Sequence, residues 1–193
     1  MPPYTTEAAP SAGEQGLPRV VVSAADGASF EAYLHGAHVT SWRVAGSDAE
    51  RLFVSREARF EDGLAIRGGI PVCFPQFADQ GTLPMHGLVR TEPWTLVAAG
   101  QARDGAAHAR LRIEMAPRLP AWPHAFACDV DVRARARTLT VQAGGTWAVM
   151  RVVLPIAACM LGGGFAGRGF VRSWCLGCLA ILCWYERLRA VGG

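Results

Sequence analysis

"FACDVDVRARARTLTVQAG", residues 126–144, sets the fold class. Phe126, Cys128, Val130 and Val132, then Leu139 and Val141, fall on alternate positions. A period of two belongs to strands with one buried face. Upstream, "EPWTLVAAGQARDGAAHARLRIEMA", residues 92–116, reads as a strand, a turn at Asp104-Gly105 and a second strand. Further back, "RVVVSA" (19–24) and "SFEAYLHGAHVTSWRVAG" (29–46) also alternate, with Phe30, Ala32 and Leu34 on one parity, then Val39, Ser41 and Arg43 after a break at Gly36. Asp26-Gly27 between them is a hairpin signal. "ERLFVSREARF" (50–60) predicts a short strand over Leu52–Val54. Strands spaced by turns predict an all-β sandwich or barrel, and no sustained helical period occurs before residue 143.

With 193 residues and 51% hydrophobic content, the chain can build one core of ordinary size and is not of disordered composition. All 19 basic residues are arginine. Residues 1–142 hold 14 of them against 15 acids, and residues 143–193 hold five against Glu186 alone. The larger part therefore presents no electrostatic case for nucleic acid. Residues 1–16 are rich in Pro, Gly, Ala, Thr and Glu, with no apolar core of a signal peptide, and are read as a mobile arm. The reduced thiols of a cytoplasmic protein are the matching expectation.

After Gln142 the alternation stops. Residues 152–167 and 173–185 are uncharged blocks of 16 and 13 residues. Both fall short of the roughly 18–20 residues that span a bilayer, so a membrane segment is not expected. Cys175 and Cys178 have the CxxC spacing, but no βαβ pattern adjoins them and Cys159 and Cys183 form no second zinc knuckle; apolar filler is the reading.

The chemistry is sought in "AIRGGIPVCFPQF", residues 65–77, where one arginine, two glycines and two prolines interrupt an apolar run. Arg67 is either a structural arginine paired with Asp62, Glu61 or Asp79, or half of an anion site. The second reading draws in Arg90 from "MHGLVRTEPW" (85–94), since two guanidiniums on glycine-bearing loops can close on one phosphate. His86 is read as a donor to a sugar hydroxyl or as the cap of a turn. His35 and His38 lie close around Gly36 but lack the carboxylate or cysteine spacing of a metal site, and no metal is expected. His108 and His124 are expected at the surface. No phosphate-binding loop, nucleophile elbow or dinucleotide fingerprint occurs.

Three segments carry a resemblance: "YLHGAHVTSW" (33–42), "LFVSREARFEDGLAIRGGIPVCFPQF" (52–77) and "MHGLVRTEPWTL" (85–96). In order and spacing they resemble the glucose-6-phosphate 1-epimerases, or hexose-6-phosphate mutarotases, of the aldose 1-epimerase, galactose mutarotase-like group. The resemblance covers about residues 18–142. It implies a large antiparallel β-sandwich and interconversion of the α and β anomers of a hexose 6-phosphate, without a cofactor. It further implies that Arg67 and Arg90 hold the phosphate, the glycines letting backbone approach it, with His86 as a substrate contact. Met85 stands where relatives often carry Gln.

The resemblance also implies an acid histidine and a carboxylate base in the second half of the fold. No histidine follows His124 here, and only Glu186 follows Asp131 among the acids. The expectation is therefore a partial mutarotase-like sandwich over residues 17–142 and an unrelated apolar tail over 143–193, as a retained intron, a frameshift or a faulty gene model would produce. No catalytic residue is assigned, the chain is expected to be inactive, and its partner is a hexose 6-phosphate or phosphate. The contrasting expectation is a non-enzymatic, membrane-associated or interaction protein built around the tail.

Overall fold

A computed structural model describes residues 4–79, 81–145 and 181–182. The strands are β1 (Tyr4–Glu7), β2 (Ser11–Ala12), β3 (Pro18–Ser23), β4 (Ser29–Tyr33), β5 (His38–Arg43), β6 (Val72–Cys73), β7 (Thr95–Ala102), β8 (Ala107–Met115), β9 (Phe126–Arg135), β10 (Thr138–Gly145) and β11 (Ile181–Leu182). Two antiparallel sheets result, one in the order β1-β7-β8-β9-β10 and one in the order β2-β3-β4-β5. The chain is all-β, and among the described residues no α-helix forms and no helix is long and apolar enough to cross a membrane. The segment expected to be an unrelated tail, including Cys175, Cys178 and Glu186, lies outside the described residues apart from residues 143–145 at the end of β10 and the short parallel pairing of β11 with β6.

The alternation seen in the sequence becomes one buried face. Ala107, Ala109, Leu111, Ile113 and Met115 of β8 point inward with Phe126, Cys128, Val130, Val132 and Ala134 of β9 and Leu139, Val141 and Ala143 of β10. They share one core with Val20, Val22, Phe30, Ala32, Val39 and Trp42 of the second sheet. Burial of such faces is the main stabilising term of a sandwich. The outward positions of β8 and β9 carry charge, and Arg110 and Arg112 pair across the strands with Asp131 and Asp129 at 2.9 and 2.8 Å.

The turns at one end tie the sheets together. The Asp26 carboxylate accepts hydrogen bonds from the Ala28 N–H (2.9 Å) inside its own turn and from the Ala136 N–H (2.7 Å) in the turn between β9 and β10. Ala25 N–H donates to the Gly105 carbonyl at 2.8 Å, so the turn before β8 joins the same cluster.

Four expectations are revised. Leu52–Val54 is no strand; Val54 makes only an isolated bridge to Gly68, because Gly68 and Gly69 at φ +105° and +60° turn the partner chain away from a ladder. On β5 the buried positions are Thr40 and Trp42 as well as Val39, and Arg43 is exposed, since the pairing with β4 shifts register between Glu31 and Ala32. His108 is three-quarters covered: its Nε2 meets Asp131 at 2.9 Å and its Nδ1 meets the Tyr4 hydroxyl at 2.8 Å. Tyr4 belongs to β1, which pairs with β7 from within the segment read as an arm. His124 is exposed as expected.

Between β5 and β7, residues 44–94 form little regular structure, only β6 and isolated bridges. A connection this long in a compact sandwich is where function concentrates. The fold itself is tested through β8. Leu111→Ala, at a fully buried position, is expected to destabilise the protein by about 2–5 kcal/mol in urea unfolding. Arg110→Ala on the outer face of the same strand should cost less than about 1 kcal/mol. Equal effects would contradict the assigned faces.

Candidate functional site

The three segments 33–42, 64–78 and 85–94 close on one another in space. Gly36 N–H donates to the Glu92 carbonyl at 2.8 Å, and a Cβ at Gly36 would stand 2.2 Å from the Arg90 carbonyl oxygen. Val39 and Ile70 exchange backbone hydrogen bonds at 2.8 and 3.3 Å. Leu88 N–H donates to the Phe74 carbonyl at 2.7 Å, where Gly87 leaves no room for a side chain: its Cβ would lie 2.1 Å from that same oxygen.

The segment bearing Arg67 is clamped from two sides. His35 Nε2–H donates to the Leu64 carbonyl at 2.7 Å, Arg90 Nη2–H to Ile66 at 3.5 Å, and His38 Nε2–H to Gly68 at 2.7 Å. Carbonyls accept only, so each ring carries its proton on Nε2. Against residues 53–55, Ser55 N–H donates to the Arg67 carbonyl at 3.0 Å and Gly69 N–H to Phe53 at 2.7 Å. Gly68 and Gly69 make this possible. A Cβ on Gly68 would sit 2.4 Å from the Phe53 carbonyl oxygen, and one on Gly69 would sit 2.3 Å from that of Val39 and 2.9 Å from His38 Nε2. The room vacated by these glycine side chains is taken by the protein's own backbone and by an imidazole.

Arg67 is exposed, and its guanidinium enters no ion pair among the described residues; of the three carboxylates considered for it, Glu61 binds Arg59 at 2.8 Å, and Asp62 and Asp79 are exposed. Arg90 is half-buried, its Nε is buried with no hydrogen-bond partner among the described residues, and it too meets no carboxylate there. His86, at φ +70°, accepts the Ala78 N–H on Nδ1 at 3.2 Å, with Cys73 Sγ 3.7 Å from the same nitrogen, which leaves Nε2–H as its free donor. Its pKa is lowered, by burial first and by the Arg90 charge second. His38 is lowered to about 4, by burial first; the Gly68 carbonyl opposes, and Arg90 and His35 add to the depression. Burial and the Arg90 charge thus hold His38 and His86 toward their neutral forms beside the guanidiniums.

The arrangement therefore links the loops of Arg67 and Arg90 through the Ile66 carbonyl and sets His86 near enough to Arg90 to feel its charge. Reading the sequence missed what His35 and His38 do. The available signal was the pair of positive-φ residues between them, Gly36 at +72° and Ala37 at +48°, which turn the chain so that both rings face residues 64–68.

The aldose 1-epimerase family model matches residues 18–146. A protein of Escherichia coli K12 named "Putative glucose-6-phosphate 1-epimerase" is 33% identical over 147 residues, covering 70% of this chain and 50% of its own length. A Cenchrus ciliaris protein of the same name is 44% identical over 81 residues, covering 42% of this chain and 24% of its own. Among solved structures, the Salmonella typhimurium protein YeaD, described as a "putative mutarotase", aligns with a TM-score of 0.59 and 28% identity over 72% of this chain and 46% of its own. The chain spans about half the length of the Escherichia coli relative.

The buried His38 gives the site a pH signature. Between its ordinary value of 6.5 and about 4, the unfolded chain takes up a proton on His38 that the folded chain refuses. Stability contributed by neutral His38 is complete above 6.5 and is lost as pH falls toward 4. Urea midpoints at pH 7 and pH 5 should separate more for the native chain than for His38→Gln, which keeps a donor and cannot titrate. An identical separation would contradict a neutral, buried His38.

Proposed function

The chain belongs to the aldose 1-epimerase family, and from that premise we propose that it binds the phosphate of a hexose 6-phosphate between Arg67 and Arg90, with His86 meeting the sugar. The supporting observation is the pair of arginines on linked loops. Arg67 and Arg90 have no carboxylate among the described residues; Arg43, Arg51, Arg56 and Arg137 share that property, but only the loops of Arg67 and Arg90 meet at the Ile66 carbonyl. Arg90 keeps a buried, unpartnered Nε–H, and a buried donor of that kind calls for an acceptor. A phosphate dianion supplies acceptor oxygens to two guanidiniums at once.

The sugar chemistry asks for little more than proton transfer. An acid protonates the ring oxygen while a base takes the proton of the anomeric hydroxyl; the ring opens, C1 presents its other face, and the ring closes. His86 Nε2–H is oriented to donate to a hydroxyl, because its Nδ1 is held by the Ala78 amide. A neutral imidazole in that tautomer donates a hydrogen bond without carrying charge to the sugar. Neither an acid nor a base for the ring-opening step is assigned among Arg67, Arg90 and His86, so the proposal for this 193-residue chain is binding with little or no turnover, in the cytoplasm.

Phosphate titration followed by calorimetry tests the binding half. Arg67→Ala and Arg90→Ala are each expected to weaken phosphate and glucose 6-phosphate by about 10- to 100-fold, the range of a lost charge-assisted hydrogen bond. Arg110→Ala, on the outer sheet face, should leave affinity unchanged. Unaltered binding in both site variants would remove the phosphate assignment. Anomer exchange of glucose 6-phosphate, measured by NMR, should run no faster with the protein than in buffer; turnover abolished by His86→Ala would instead make His86 a working acid.

A further inference from the structure

We infer that His35 and His38 are positioning residues for Arg67: they hold the backbone of residues 64–68 through their Nε2–H donors so that the guanidinium is presented to an anion. The inference rests on the phosphate reading of Arg67 and Arg90 and extends it to two residues outside that pair.

The geometry is a ladder with period two. The carbonyls of Leu64, Ile66 and Gly68 are met in turn by His35, Arg90 and His38, while the backbone of Arg67 and Gly69 is met from the other side by Ser55 and Phe53. Arg67 is thus fixed at its own carbonyl and at the carbonyls of both neighbours, while its side chain is exposed. His35 and His38 are 4% and 1% exposed, too deep to touch a ligand themselves. Their short 2.7 Å contacts contrast with the 3.5 Å of the Arg90 bond in the middle rung. The two histidines therefore bear most of the restraint, and the guanidinium of Arg90 stays only loosely committed to the protein. Pre-ordering a loop removes part of the ordering cost that a ligand otherwise meets.

An imidazole at position 38 supplies this donor without a fixed charge beside Arg90. A lysine or arginine at position 38 would add a charge to a buried place already facing Arg90, and a leucine would leave the Gly68 carbonyl buried without a donor. Gln is the side chain that returns an N–H near the position of Nε2.

The test uses the full chain and inorganic phosphate as the probe, with His38→Gln, His38→Leu and Arg67→Ala, and with urea midpoints recorded for each. His38→Leu is expected to lose about tenfold in phosphate affinity, the scale of one buried hydrogen bond. His38→Gln should stay within about threefold of the native chain. In the Arg67→Ala background the His38→Leu loss should vanish, which a purely structural role would not produce. If His38→Leu does not fold, His35→Leu and His35→Gln carry the same comparison at the other end of the ladder. A loss that persists without Arg67, or Gln variants as impaired as Leu variants, would overturn the positioning role. Arg67→Ala binding phosphate as tightly as the native chain would instead overturn the phosphate reading, and the inference with it.

Discussion

The close approach at Gly68 and Gly69 is the constraint on which the site depends. Four backbone or ring atoms occupy space that a Cβ would need, at 2.3, 2.4, 2.7 and 2.9 Å. Both residues also have positive φ, where an L side chain is costly. The strain-free use of these conformations lets one short segment bond to two neighbours at once, residues 53–55 on one side and the β5 strand with its preceding turn on the other. Were either glycine substituted, His38 could not reach the Gly68 carbonyl without displacing Val39 or Phe53. The register of β8, β9 and β10 is set by their own pairing, although Ile70, Val72 and Phe74 of this segment share their core.

This separation of framework from site explains what could be read from the residues. The strands β8 to β10 were legible because one periodic face is buried and the other is charged, so the pattern in Phe126–Val132 maps directly onto burial. Arg67, Arg90 and His86 stood out together because glycine, arginine and histidine recur in the two loops, and the structure joins the loops of Arg67 and Arg90 at the Ile66 carbonyl. The means by which they are held was not legible. A histidine donating to a carbonyl about thirty residues away leaves no local trace, and His35 and His38 look the same in sequence whether they bind metal, sugar or backbone. The strand expected at Leu52–Val54 failed for a related reason: its apolar content is real, but its partner holds two glycines in conformations that cannot extend a ladder. The coverage of His108 was equally hidden, because it comes from Tyr4 and Asp131, which are distant in the chain.

Electrostatics then distinguishes arginines that are alike in composition. Residues 1–142 are close to neutral, with 14 arginines and 15 acids, and that balance argues against a general anion-binding surface. It does not argue against a local one, because the acids are unevenly placed. Asp131 serves Arg110 and His108, Asp129 and Glu114 serve Arg112, Glu92 serves Arg118, and Asp104 serves Arg133 and Arg135. The Asp131 carboxyl shows the consequence: burial works to raise its pKa, yet the His108 and Arg110 hydrogen bonds leave it lowered. On the outward face of β8 and β9 the arginines and carboxylates are matched across the strands.

Around Arg67 and Arg90 the matching stops. Glu61 goes to Arg59, and the nearby imidazoles of His38 and His86 are held toward their neutral forms by burial and by Arg90 itself. Depressing the histidines and leaving the arginines without carboxylates have the same effect, which is to concentrate the local positive charge on the guanidiniums. An arginine cannot shed its proton to relieve such a situation, as a lysine can. The charge therefore persists at every physiological pH, and relief must come from solvent or from an anion that enters. In the proposed reading, a dianion held by Arg67 and Arg90 would displace no protein carboxylate from either, so none of its binding energy would be spent on breaking an existing ion pair.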